Sequence, residues 1–223
     1  MSLWIKICAN TSLEDAQAAA DCGADAVGFV FAPSPRRVTP EQVAAIVPHL
    51  PPGLEKIGVF VDATYEEVAT TVESAGLTGV QLHWDAPFEL SAGLREKFGM
   101  DLRILRVVHF DTSMGADSDF TDPNLADPNI DAILVDSRTA SVVGGTGKAF
   151  DWRLAADILF VKLEQLKLVA AGGLTPDNVA EAIGTLHPWG VDVVSGVESA
   201  PGRKDSAKVR AFIANARAAI DRR

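Results

Sequence analysis

Ten residues could do chemistry, and each closes or closely follows a short apolar run: Cys8, Arg36 and Arg37, Gln81 and His83, Asp136, Gly172 and Gly173, Ser195 and Gly196. A thiol and a carboxylate on opposite sides of a substrate suit a general base and a general acid. The thiolate becomes an effective base where nearby positive charge or N–H donors lower its pKa. Taken singly, Cys8 also reads as a small buried hydrophobe, and Asp136 equally well as a cap on the next turn. The two glycine turns let the backbone approach an anion without a side chain in the way, or are ordinary tight turns. Arg36 and Arg37 are a solvated loop pair, or else guanidinium groups able to grip a carboxylate bidentately. His83 fits a structural or a functional role, and Cys22 reads as packing.

The rest of the composition narrows the partners. The chain has 223 residues, 48% of them hydrophobic and 22% charged, the balance of an ordinary globular protein. Thirty acidic residues against 20 basic ones give a formal charge of −10. Such a surface repels phosphate backbones, so no nucleic acid is expected as a partner. An anionic ligand must be held locally, by backbone N–H groups or a few placed cations. Two cysteines are too few for a disulfide framework, and no Cys/His spacing suits a zinc site, so no metal is expected. The N-terminus runs into Trp4-Ile5-Lys6-Ile7-Cys8 without the apolar stretch of a secretory leader, and no segment has the roughly 18 apolar residues of a membrane span. The expectation is a cytoplasmic protein without membrane contact, and a monomer by default.

The elements that must position these residues alternate. The spacing predicts strands at Trp4–Cys8, Ala24–Phe31, Lys56–Val61, Gly79–His83, Leu102–Val108, Ile130–Val135, Lys167–Ala171 and Val191–Ser195. Helical stretches lie between them: one capped within Asn10-Thr11-Ser12 and ending at Gly23, one beginning near Pro40, then Thr64–Ala75, Pro87–Phe98, Asp151–Phe160, Pro176–Thr185 and Ser206–Ala219. Phe110–Asn129, rich in Asp, Ser, Thr and Pro, reads as a long loop. Near-continuous Val/Ile strands in βα alternation imply a parallel sheet with right-handed crossovers. Eight such units at this length, with no linker-like break, fit a single-domain α/β protein of the (β/α)8 TIM-barrel class. A doubly wound sheet fits less well, because no glycine fingerprint follows the first strand.

In such a barrel the active site lies at the C-terminal strand ends, and phosphate is often held by the loops after strands 7 and 8. Those loops are where Gly172-Gly173 and Ser195-Gly196 fall. Gly144-Gly145-Thr146-Gly147-Lys148 lacks the P-loop spacing and the Ser/Thr after Lys, so it reads as a loop over the mouth.

Placed in order, Lys6-Ile7-Cys8, the run Gly23 to Phe31, Val80-Gln81-Leu82-His83, Leu134-Val135-Asp136, Gly144 to Lys148 with Phe150-Asp151-Trp152, Gly172-Gly173-Leu174, and the run Val191 to Glu198 resemble the phosphoribosylanthranilate isomerase family of tryptophan biosynthesis. The ordered set spans the chain and is highly specific. The resemblance implies an Amadori rearrangement of N-(5-phosphoribosyl)anthranilate without metal, nucleotide or redox cofactor. It makes Cys8 the general base and Asp136 the general acid. Arg37 becomes the partner of the anthranilate carboxylate, with Arg36 beside it, and the glycine turns become the site of a phosphorylated small-molecule substrate. Alternatives are a catalytically impaired phosphate-binding barrel and a histidine-pathway phosphoribosyl isomerase; the latter uses paired aspartates at strands 1 and 6, and Cys8 in place of the first argues against it.

Two departures from the family pattern stand out. Ala9 follows the cysteine where glycine is usual, and if that position needs positive φ, alanine costs about 1 kcal/mol. Trp84 replaces a glycine after His83. Period-2 alternation also puts Lys6 on the face of Cys8, inside the barrel, where a buried ammonium needs a partner. Asp192, on the adjoining eighth strand, is the expected one.

Overall fold

Eight parallel strands hydrogen-bond in sequence order and the eighth returns to the first, closing the ring. The computed structural model describes residues 3–83, 85–109, 127–136 and 167–220. The strands are β1 (Trp4–Ile7), β2 (Ala26–Val30), β3 (Glu55–Phe60), β4 (Gly79–Leu82), β5 (Arg103–His109), β6 (Ala132–Asp136), β7 (Lys167–Ala171) and β8 (Gly190–Val193). The described helices are α1 (Leu13–Asp21), α2 (Pro40–Ile46), α3 (Tyr65–Ala75), α4 (Phe88–Phe98), α5 (Val179–Leu186) and α6 (Ser206–Ile220). Between β8 and α6 a small antiparallel hairpin, β9 (Glu198–Ala200) and β10 (Arg203–Lys204), sits outside the ring. The expected barrel is therefore present. The expected helix at 151–160 and the glycine-rich loop at 144–148 lie outside the described residues, as does Trp84.

Local chemistry explains where the helices start and stop. Ser12 caps α1 by accepting from the Asp15 N–H, while Thr39 and Thr64 form capping boxes with Gln42 and Glu67 that satisfy the first free donors of α2 and α3. Pro40 stands in the first turn of α2, where its missing N–H costs nothing. Pro176 to Asn178, predicted to be helical, forms a turn instead, because Asn178 Oδ1 accepts from the Thr175 N–H at 2.7 Å and α5 begins only at Val179.

Alternation along the strands separates two buried layers. Ala26, Ile57, Leu105, Val107, Ala132, Leu134, Val169 and Ala171 fill the barrel interior with Trp4. Their neighbours, among them Ile5, Val27, Val80, Ile104, Ile133 and Val191, face the helices. Trp4 and Trp189 stack at 5.1 Å at the lower end of the ring.

The interior also holds charge. Lys6 is fully buried, and its Nζ donates to Asp192 Oδ1 at 3.0 Å and to Gln81 Oε1 at 2.6 Å. The expected ion pair is thus present, and it has a third member. Lys6 and Asp192 are register partners across the β1–β8 seam, whereas Gln81 reaches in from β4. Burial works against the Lys6 charge, but Asp192 and Cys8 outweigh it and hold the ammonium above the usual lysine value.

Removing one partner of a buried pair leaves an uncompensated charge. Asp192→Ala is expected to cost about 3–5 kcal/mol in urea unfolding, by that principle. The double change Lys6→Met with Asp192→Leu should cost much less, and equal losses would refute the buried-charge account.

Candidate active site

Four strand ends build the mouth. β1 is prolonged by Cys8, whose N–H donates to Val193 O at 2.9 Å and so fixes the residue at the β1–β8 seam. Its side chain is buried, and the Cys8 sulfur lies against the α-carbon of Gly28 on β2, where any Cβ would collide with it. Asn10 locks the turn that follows: its N–H donates to Gly28 O at 2.9 Å and its Nδ2 to Ile7 O at 2.8 Å. Between them Ala9 adopts φ 60°, the left-handed region that costs an L-residue about 1 kcal/mol or more. The position does require positive φ, so alanine there is strained.

Asp136 ends β6, in register with His109 of β5 and Ala171 of β7. Alternation with Ala132 and Leu134, both interior, gives its Cα the barrel-facing register, and the residue is half-buried. Cys8 and Asp136 therefore stand three strands apart around one closed ring.

Between them lie the loops after β7 and β8. Gly172 and Gly173 take φ 81° and 64°, two consecutive left-handed residues that only glycine adopts cheaply. Asn178 Nδ2 donates to Gly173 O at 3.0 Å and holds this turn open. A Cβ on Gly196 would meet the Leu174 carbonyl carbon at 2.9 Å and the Thr175 Cα at 3.1 Å, so the absence of a side chain lets the two loops press together. Gly173 and Ser195 are both exposed at this junction.

The two arginines divide. Arg36 is bidentate to Glu198, with Nε 2.8 Å from Oε1 and Nη2 2.6 Å from Oε2, tying the loop after β2 to β9. Arg37 is exposed on the same loop, its N–H donating to Ser34 O at 3.1 Å. Gln81 points into the barrel and serves Lys6. His83, one residue past β4, donates its N–H to Phe60 O at 3.2 Å and has its Nδ1 3.6 Å from Asp85. With Phe60, Asp62, Leu82 and Leu90 it lines a cavity of about 130 Å³. Cys22, half-buried, caps the end of α1 and packs against the outer core, as read from the sequence.

Electrostatics at Cys8 differ from expectation. The sequence reading called for a lowered thiol pKa, but burial pushes Cys8 up; Lys6 and Lys204 pull it back only in part, while Asp192 opposes them. Lys204 and Glu198 carry no role in the sequence reading. Glu198 stood within a matched run, but its partners come from the loop after β2 and from β10, and no spacing signals that meeting.

Comparison with known proteins agrees with this geometry. Residues 5–215 match the N-(5'phosphoribosyl)anthranilate (PRA) isomerase family. The chain belongs to that family. The N-(5'-phosphoribosyl)anthranilate isomerase of Pelobacter propionicus is 43% identical over 210 residues, 94% of this chain and 93% of the relative. The phosphoribosyl anthranilate isomerase of Thermotoga maritima superposes with a TM-score of 0.83 at 37% identity, covering 97% of this chain and 99% of that one; it has also been solved as monomers generated from the dimeric protein. A further family structure holds reduced 1-(o-carboxyphenylamino)-1-deoxyribulose 5-phosphate, with a TM-score of 0.80, 34% identity and coverage of 97% and 99%.

Glycine at position 9 would relieve the left-handed strain. Ala9→Gly is expected to stabilise the protein by about 1 kcal/mol, offset in part by the freer unfolded chain. A urea midpoint that falls instead would show that the turn does not carry this strain.

Proposed function

We propose that the chain acts as a phosphoribosylanthranilate isomerase of tryptophan biosynthesis through general base catalysis by Cys8 and general acid catalysis by Asp136. The observation that carries this reading is the pair of residues at the rims of β1 and β6 in one closed ring, with the two glycine turns of β7 and β8 between them.

In the proposed reaction, Asp136 gives its proton to the furanose ring oxygen of N-(5-phosphoribosyl)anthranilate. The C1′–O4′ bond breaks, and the anthranilate nitrogen supplies the electron pair that forms the Schiff base. The Cys8 thiolate then removes the C2′ proton, and the C–H electrons flow toward nitrogen to give the enolamine. In the tautomerisation the Cys8 thiol gives its proton to C1′ and the C2′ hydroxyl proton passes to the Asp136 carboxylate, which leaves a ketone at C2′, so substrate and product are isomers and both side chains return to their starting states. No oxidant or reductant enters. Gly172, Gly173, Ser195 and Gly196 offer their backbone to the phosphate of the small-molecule substrate. Arg37, exposed beside the mouth, takes the anthranilate carboxylate, and His83 borders the substrate from β4. Arg36 and Gln81 act through the groups they hold, Glu198 and Lys6.

We also infer a monomer. Among the described residues the exposed large apolar side chains are single ones on separate elements, Leu13, Tyr65 and Met100. A sedimentation mass of two chains would refute it.

Cys8→Ser and Asp136→Asn should each lower kcat by about 10²–10⁴-fold, the usual share of a positioned proton-transfer group, in the fluorescence decay of freshly made phosphoribosylanthranilate. Full rate in either variant would refute that residue's role. Because Cys8 must be deprotonated to act and burial raises its pKa, kcat/KM should climb with pH through a value above the ordinary thiol range. An ascending limb below that range would contradict the raised direction.

A further inference from the structure

The hairpin between β8 and α6 has no part in closing the barrel, yet it delivers a buried cation to the mouth. β9 and β10 pair with a register shift between Arg203 and Lys204. Such irregularities re-aim a side chain and are common beside active sites. Here Arg203 stays exposed while Lys204 turns inward and is buried. Lys204 Nζ donates to Val194 O at 3.3 Å and to Glu198 Oε1 at 3.4 Å. Val194 directly follows Val193, whose carbonyl holds the Cys8 N–H, so the ammonium is anchored one residue beyond the backbone contact of the thiol.

Glu198 is the hub of this arrangement. Besides Lys204 it receives both Arg36 nitrogens and the Gly202 N–H at 3.2 Å. Burial alone would raise its pKa, but Arg36, Lys204 and the Gly202 N–H hold it below the usual carboxylate range, so it is anionic.

The charged groups that act on Cys8 are Lys6 on its own strand, Asp192 on β8 and Lys204 on β10, and Glu198 on β9 binds Lys204 together with Arg36 from the loop after β2, which itself responds to the Cys8 charge. Three cations stand against two carboxylates, which leaves one positive charge for the thiolate to neutralise. Lys6 acts most strongly on the thiol and Asp192 opposes it, and Lys204 adds to Lys6 from β10.

We propose that Lys204 is a positioning residue for the general base: its ammonium, held by Glu198 and the Val194 carbonyl, adds to that of Lys6 the positive charge that stabilises the Cys8 thiolate, and Glu198 limits the Lys204 share. The proposal rests on the reading of Cys8 as the base. It gives the hairpin a function and accounts for a buried lysine that touches a carboxylate already satisfied by arginine.

Opposite signs make the test specific. In a Cys22→Ser background, the ionisation of Cys8 is followed by ultraviolet thiolate absorbance against pH, and kcat/KM by substrate fluorescence. Lys204→Met should move both the thiolate titration and the ascending limb of kcat/KM to higher pH. Glu198→Gln, which frees the cations, should move both to lower pH, and Lys204→Arg should leave them near the parent. A merely structural role would lower stability in every variant without moving the titration in two directions. Should Lys204→Met fail to fold, Lys204→Gln carries the same test, with the same upward shift expected. A titration that Glu198→Gln leaves in place overturns the proposal, as does one that Lys204→Met leaves in place. If Cys8→Ser keeps full turnover, the base assignment itself fails, whatever the titrations give.

Discussion

A fully buried ammonium inside a closed ring is the constraint on which the rest depends. Lys6 has no access to water, so the chain must supply acceptors from within the barrel, and it does so from two directions. Asp192 comes from the strand that closes the ring against β1, and Gln81 from β4. The contacts that satisfy the charge thereby specify the β1–β8 register and link it to the opposite side. A slip of one residue would turn Lys6 toward the helices and strand the carboxylate in the core. The same ammonium sits one alternation below Cys8, so the group that registers the barrel also sets the field at the thiol.

Close approach is the second requirement. The Cys8 sulfur fits only because Gly28 has no side chain, and the loops after β7 and β8 meet only because Gly196 has none. Ala9 shows the converse: the turn after β1 needs a left-handed residue, Asn10 and the Gly28 carbonyl enforce it, and alanine bears the strain. The strain persists because the surrounding hydrogen bonds over-determine the turn.

Much of this was legible in the sequence. Strand β7 falls on its predicted bounds, and β1 to β6 and β8 differ by a residue or two at their ends, since buried parallel strands announce themselves as Val/Ile runs between capped helices. The Lys6–Asp192 pair followed from alternation plus the adjacency of strands 1 and 8. What could not be read has a physical reason. Arg36 and Arg37 are neighbours in an irregular loop, where no period says which one turns toward Glu198. Lys204 lies in a two-residue strand whose register shift erases alternation. The direction of the Cys8 pKa depends on the balance between burial and charges on β1, β8 and β10, which is a property of three-dimensional packing alone.

That balance bears on the proposed role of a buried thiol as the base. Burial penalises the thiolate, and a raised pKa leaves fewer molecules ionised at neutral pH. The same exclusion of water strengthens every charge around the sulfur, because the effective dielectric falls. A thiolate of higher pKa is also the stronger base toward a carbon acid, so the loss in population is offset in part by gain in reactivity. The site therefore needs cations that favour the ion without pulling its basicity down to the level of an inert thiolate. On the proposed role of Cys8, Lys6 paired to Asp192, and Lys204 sharing Glu198 with Arg36, suit that need, because each cation is attenuated by a carboxylate.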